Sequence, residues 1–148
     1  MLTVDFFPRI HTAIAEWMAC MTFILPQSKR FSGKDPRQFA LYGLFLLLQS
    51  FICQWMDSVT SNGLWMLLML AAMLSMFLMI QTTCRLRPAE ACYIWAHAFL
   101  AAEFTASMAW QMNYYLLAGN NVSTFGTWIV MAAVYALDFG VIYALNRH

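Results

Sequence analysis

The sequence predicts an all-α, polytopic integral membrane protein: a bundle of five transmembrane helices with no soluble domain. Of its 148 residues, 62% are hydrophobic and only 10% are charged, against about 25% charged in an ordinary soluble domain. The apolar runs approach or exceed the ~18 residues that indicate a membrane span. None of them alternates polar and apolar positions as a transmembrane β-strand does. Helices are therefore the form in which lipid can solvate this chain.

Prolines, glycines and polar residues separate the five predicted helices. Pro8 suits a first helical turn and Pro26 follows the end of helix 1, while Pro88 opens helix 4 and Gly119 ends it. The predicted helices cover residues 8–25, 39–56, 64–81, 89–117 and 127–145. Helix 4 is roughly 43 Å long at 1.5 Å per residue. We therefore expect it to tilt or to extend into the membrane interface.

The basic residues occupy alternate gaps between the helices. Seven of the eight Lys and Arg residues follow helices 1, 3 and 5, and none follows helix 2 or 4. By the positive-inside rule, this places the N-terminus outside and the C-terminus in the cytoplasm. The clusters are too small for a nucleic-acid-binding surface, so nucleic acid is not expected as a partner.

Three acidic residues lie near the middle of predicted helices. They are Glu16, Glu103 and Asp138, on helices 1, 4 and 5. A charge at this depth costs about 3 kcal/mol, so we expect the three to face one another or a wet crevice, protonated or hydrogen-bonded. The candidate partners are His11, His97, Gln49, Gln54 and Gln111. A polar core that switches and a static interhelical clamp both fit this pattern.

Helix 4 carries two stripes at helical spacing. The polar-aromatic stripe consists of Glu103, Ser107, Trp110 and Tyr114, and the small-residue stripe of Ala98, Ala102, Ala106 and Ala109. Small residues allow close helix packing. We therefore expect helix 4 to lie centrally, with Glu103 and Trp110 facing inward.

No pattern in the chain predicts catalysis, a cofactor or a metal site. The methionine row on helix 3 (Met66, Met69, Met73, Met76 and Met79) has ligands for Cu(I), but thioethers also fill gaps between packed helices. The four cysteines lack a CxxC spacing. Phosphate-loop, dinucleotide-binding and metalloprotease motifs are absent from the sequence.

Two segments resemble parts of a known family. PRIHTAIAEWMAC at residues 8–20 resembles the first membrane helix of sensor histidine kinases from Gram-positive bacteria, which carry a GHKL-type ATP-binding domain. AHAFLAAEFTASMAWQM at residues 96–112 is similar to another helix of the same kinases. His97 stands where the relatives have arginine, and Ala109 where they have a second glutamate. A phosphoacceptor helix and an ATP-binding domain are not found up to His148, so this chain is not expected to be an enzyme alone.

The resemblance implies the membrane-embedded sensor domain of a signalling protein in a bacterial cytoplasmic membrane. It would detect a small ligand or peptide and pass the signal through helix 5, as a homodimer or with a membrane-protein partner. The expected ligand or switch residues are Glu16, His97, Glu103, Trp110, Gln111 and Asp138. A small proton-coupled transporter or transporter subunit is the alternative, because buried carboxylates beside a histidine also suit a proton relay. A regulatory subunit of another membrane protein is the third possibility.

Overall fold

The fold is all-α, as predicted. The computed structural model describes residues 10–28, 36–119 and 124–146, and 95% of these are helical. The five helices are α1 (Ile10–Ser28), α2 (Pro36–Ser58), α3 (Asn62–Cys84), α4 (Pro88–Gly119) and α5 (Thr124–Asn146). Each predicted helix overlaps one of them. The predicted start at Pro8 and most of the basic loop after helix 1 lie outside the described residues.

Two helix ends show how local chemistry sets the boundaries. Arg85 caps α3 in the left-handed conformation, with a φ of 48°, and its backbone N–H bonds to the Gln81 carbonyl. Pro88 begins α4, as expected. Pro26, however, lies inside the last turn of α1 rather than beyond its end. A proline there removes only one hydrogen bond close to the helix terminus, where its cost is small compared with a mid-helix position.

Helix α1 occupies the centre of the bundle. It packs against each of the other four helices and most extensively against α4, while α2, α3, α4 and α5 follow around it, each packed on the next. Ala13, Ala15, Ala19 and Cys20 of α1 are completely buried. The expectation that helix 4 is the central helix is therefore corrected: α4 lies alongside α1 and also contacts α3 and α5.

The small-residue stripe of α4 is buried, as its spacing predicted. Ala98 and Ala109 have no exposed surface, and Ala102 and Ala106 are nearly inaccessible. Because the most extensive packing in the bundle joins α4 to α1, and α1 buries its own alanines, small side chains line both helices. Such side chains let two helix backbones approach closely.

The outer surface of the bundle is apolar. Large exposed side chains include Leu44, Leu47 and Phe51 on α2, and Leu67 and Leu74 on α3. A soluble protein does not leave so much apolar surface in water. Among the described residues, three segments are long and apolar enough to cross a membrane: Arg37–Ser58, Asn62–Cys84 and Phe125–Asn146. The apolar part of α1, Ile10–Pro26, is shorter. These features support a membrane protein.

Aromatic side chains tie neighbouring helices together by donating to backbone carbonyl groups. The indole of Trp17 joins α1 to α2, the indole of Trp95 joins α4 to α3, and the Tyr135 hydroxyl joins α5 to α1. The bonds are Trp17 Nε1 to Tyr42 O (3.0 Å), Trp95 Nε1 to Met73 O (3.0 Å) and Tyr135 Oη to His11 O (2.8 Å). Each bond gives a polar group in the bundle interior a partner, which an apolar solvent requires.

Candidate functional site

A chain of side-chain hydrogen bonds crosses three helices at the centre of the bundle. The amide Nε2 of Gln49 on α2 donates to Oε2 of Glu16 on α1, and Oγ of Ser75 on α3 donates to Oε1 of Gln49. All three residues are buried, with 4%, 3% and 5% of Glu16, Gln49 and Ser75 exposed. Each residue comes from a different helix, so the chain fixes the relative positions of α1, α2 and α3.

Ser75 has a second acceptor within its own helix. Its Oγ lies 2.7 Å from the carbonyl oxygen of Ala72, an arrangement common for serine in helices. The hydroxyl can therefore remain hydrogen-bonded even when Gln49 moves away. Gln49 and Glu16 have no such local alternative among the hydrogen bonds of the described residues.

Helices α4 and α5 also contribute polar side chains beside Glu16. Glu103 on α4 and Tyr135 on α5 lie close enough to interact electrostatically with the Glu16 carboxyl group. Glu103 is partly buried and Tyr135 is buried. We call Glu16, Gln49, Ser75, Glu103 and Tyr135 the polar core. Each of the five helices supplies one of its members.

A small cavity adjoins the hydrogen-bonded chain. Its volume is about 10 Å³, close to the minimum that holds one water molecule. Glu16, Gln49 and Ser75 form part of its wall. The remaining wall consists of Trp17, Cys20, Phe45, Met76 and Met79. The surface that these side chains present to the cavity is apolar.

Three of the residues expected at the site lie on the surface of the bundle instead. His97 is exposed, with Nδ1 2.9 Å from the carbonyl oxygen of Tyr93 and its ring against the Tyr93 ring. Trp110 is half exposed and stacks on Tyr114. Gln111 is exposed as well. The expectation that Trp110 faces inward is therefore not met, because this part of α4 turns it outward.

Asp138 lies on α5 about one turn beyond Tyr135. The residue is partly buried, and its Oδ2 is enclosed without a hydrogen-bond partner among the described residues. Of the other two mid-helix acids, Glu103 lies within electrostatic range of Glu16.

The sequence indicated some members of the polar core and missed others. Gln49 was one of three candidate amide partners, and burial separates it from Gln54 and Gln111, which are exposed. Ser75 and Tyr135 were missed. A hydroxyl in the otherwise apolar run of α3 was the available signal for Ser75, because a polar residue in a span needs a partner.

No protein family, curated protein or solved structure matches this chain. Only residues 8–20 and 96–112 carry the likeness to sensor histidine kinases.

Proposed function

We propose that this chain is the membrane-embedded sensor and signal-transducing domain of a bacterial signalling protein. One observation carries the proposal: the Glu16–Gln49–Ser75 chain joins three helices at α1, and α1 contacts every other helix. A displacement of α1 that breaks these hydrogen bonds would change the packing of α1 against all four other helices. Switching domains need such an element, with two discrete arrangements whose balance a ligand can shift.

The contacts of Ser75 provide the second arrangement. In one state Gln49 links Glu16 to Ser75; in the other, Ser75 bonds only to the Ala72 carbonyl and Gln49 is released. Since Ser75 keeps a partner in both states, the exchange costs less than the loss of two hydrogen bonds. The Tyr135–His11 bond couples α1 to α5, and the end of α5 is where the similar kinases continue into their catalytic part.

We further propose that all five helices span a bacterial cytoplasmic membrane, with the N-terminus outside. The apolar outer surface of the bundle and the alternation of basic residues in the sequence support this placement. The cue would be a small ligand or peptide that reaches the bundle from outside or from within the bilayer. The working partner would be a second copy of the chain or another membrane protein.

A kinase fusion tests the signalling role. Residues 1–148 are joined, in continuous helical register with α5, to the catalytic part of a histidine kinase, and autophosphorylation is measured in membrane vesicles. We expect Glu16→Gln, Gln49→Leu and Glu103→Gln each to change the basal rate several-fold while membrane insertion stays normal. The matched control is Gln54→Leu, which makes the same change at an exposed position of α2. Equal rates in all four variants and the unmodified fusion would refute the proposal.

A proton-coupled transporter is the second candidate, favoured by two carboxyl groups, those of Glu16 and Glu103, within electrostatic range of each other inside the bundle. The small volume of the central cavity speaks against a substrate path through it in this conformation. Uptake into proteoliposomes that depends on a pH gradient would favour the transporter.

Stoichiometric co-purification of one other membrane protein, without a response in the kinase fusion, would favour a regulatory subunit.

A further inference from the structure

The outward face of α4 carries polar side chains that its neighbours lack. His97, Ser107 and Gln111 are exposed along this helix. The exposed positions of α3 within residues 64–78, and those of α5 within residues 125–145, carry hydrophobic side chains or glycine. Hydrocarbon cannot form hydrogen bonds with an imidazole, a hydroxyl or an amide. The outward face of α4 is therefore less suited to lipid than the faces of α3 and α5.

These polar residues belong to a row of exposed positions that repeats every seven residues. Its members are spaced alternately four and three residues apart, and we call them the α4 seam: Tyr93, His97, Leu100, Phe104, Ser107, Gln111 and Tyr114. This is the spacing of the positions that meet in a coiled coil. The seam is about 32 Å long at about 1.5 Å per residue, which matches a hydrocarbon layer of about 30 Å. A second helix can therefore lie along α4 through the whole bilayer.

A second copy of the chain is the partner that fits this seam. Two copies inserted in the same orientation are related by a two-fold axis along the membrane normal, so each seam residue meets its own counterpart. A hydroxyl and an amide both donate and accept hydrogen bonds, so Ser107 and Gln111 can each pair with the same residue of the other copy. The seam contains no Lys, Arg, Asp or Glu, so identical formal charges do not meet within the bilayer. Glu90, the next position of the repeat, lies in the first turn of α4, beyond a hydrocarbon layer of about 30 Å, where water can separate two carboxylates.

The other members of the seam provide packing and order. Leu100 and Phe104 lie at its middle and are 66% and 65% exposed, so they can insert between side chains of a facing helix. The His97 ring packs against the Tyr93 ring, and its Nδ1 lies 2.9 Å from the Tyr93 carbonyl oxygen. This leaves Nε2 for a contact with the second copy.

We propose that two copies of the chain form a parallel dimer in the membrane through the α4 seam, with Ser107 and Gln111 hydrogen-bonded to their counterparts. The inference rests on the proposed function for its membrane placement, and it deepens that function by naming the partner and the contact surface. Because α4 packs most extensively on α1, the dimer contact lies one helix away from the Glu16–Gln49–Ser75 chain.

Disulfide cross-linking in bacterial membranes tests the contact surface. In a Cys92→Ala background, which removes the exposed native thiol, a single cysteine replaces Leu100 or Ser107, and copper phenanthroline oxidises the thiols. We expect covalent dimers at both positions. Leu74→Cys on α3 and Leu137→Cys on α5 are the matched controls, because these leucines are also exposed, and both variants should remain monomeric.

The affinity of the dimer in lipid vesicles tests the polar pairing. It is measured by energy transfer between copies that carry donor and acceptor dyes, as the ratio of protein to lipid is lowered. Gln111→Leu should weaken dimerisation about tenfold, which corresponds to a strong interhelical hydrogen bond. Gln54→Leu makes the same change at an exposed position of α2 and should leave the affinity unchanged. Far-UV circular dichroism verifies that every variant is folded.

Three outcomes would overturn the proposal: no covalent dimers at the α4 positions, dimers at Leu74→Cys or Leu137→Cys instead, or an unchanged affinity of a folded Gln111→Leu variant. Cross-links from α4 to one different membrane protein would also overturn it, and would assign the seam to that protein. The two proposals fail separately. A kinase fusion that responds to Glu16→Gln without cross-links at α4 removes only the dimer contact, and cross-links at α4 with an unresponsive fusion remove only the signalling role.

Discussion

Replacing Gln49 with leucine isolates the contribution of the hydrogen-bonded chain to stability. Leucine has a similar size but cannot form the two interhelical bonds of the amide. Such bonds in a membrane protein average about 0.6 kcal/mol and reach about 1.7 kcal/mol, and those to a carboxyl group are among the stronger ones. We therefore expect Gln49→Leu to lower the free energy of unfolding by about 1–3 kcal/mol.

The structure indicates where this loss arises. Ser75 keeps its bond to the Ala72 carbonyl, so it contributes little. Glu16 loses the donor to its Oε2 and remains buried, so most of the cost falls on Glu16. Removing both partners removes the stranded carboxyl group. The double variant Glu16→Leu, Gln49→Leu should consequently be more stable than Gln49→Leu alone.

Unfolding of the purified chain by dodecyl sulfate in mixed micelles, followed by far-UV circular dichroism, measures these differences. Gln54→Leu is the matched control, because it makes the same change at an exposed position of α2 and should not destabilise the bundle. A Gln49→Leu variant within about 0.5 kcal/mol of the unmodified chain, or a double variant less stable than Gln49→Leu, would refute the reasoning.

Three further predictions concern packing, helix coupling and topology. Ala102→Leu overfills the buried face of α4, since Ala102 is only 1% exposed, and should cost about 1–3 kcal/mol in dodecyl sulfate unfolding. Tyr135→Phe removes the bond to the His11 carbonyl and should cost about 0.5–1.5 kcal/mol in the same assay. A membrane-impermeant maleimide should label exposed Cys92 only from the cytoplasmic side, and a Ser61→Cys variant at the α2–α3 turn also from outside.

Matched controls accompany these three predictions. Ala133→Leu and Tyr115→Phe make the same changes at exposed positions and should leave stability nearly unchanged. Cys20, Cys53 and Cys84 are buried, so labelling of the unmodified chain reports on Cys92. If Ala133→Leu or Tyr115→Phe destabilised the bundle as much as Ala102→Leu or Tyr135→Phe, the assigned packing would be contradicted. Labelling of Cys92 from outside would contradict the predicted orientation.

The sequence predicted the helices and their breaks well because lipid imposes a strong rule on backbone hydrogen bonds. It also predicted that the alanine stripe of α4 is buried, since that stripe is distinguished by side-chain size. Glu16 was predicted at a buried position because an unpaired charge in lipid is costly. Each of these predictions depends on a property that differs between the interior of the bundle and its lipid-facing surface.

Predictions that depend on polarity were less successful. Buried and lipid-facing side chains are both apolar here, so the helices lack the polar face that reveals orientation in a soluble protein. Nothing in the local pattern separates Gln49, which is buried, from Gln54, which is exposed. Trp110 was assigned to the interior because it shares a stripe with Glu103, yet its ring is half exposed and stacks on Tyr114.

The central position of α1 also bears on how the bundle is made. Of the five helices, α1 is synthesised first, so Glu16 is made before its hydrogen-bonding partner Gln49 and before Ser75, which bonds to Gln49. Gln49 arrives with α2 and Ser75 with α3, and each helix from α3 onward packs against both α1 and the helix before it. The helices can therefore pack around α1 in the order of their synthesis, and no helix has to be inserted between two that have already docked.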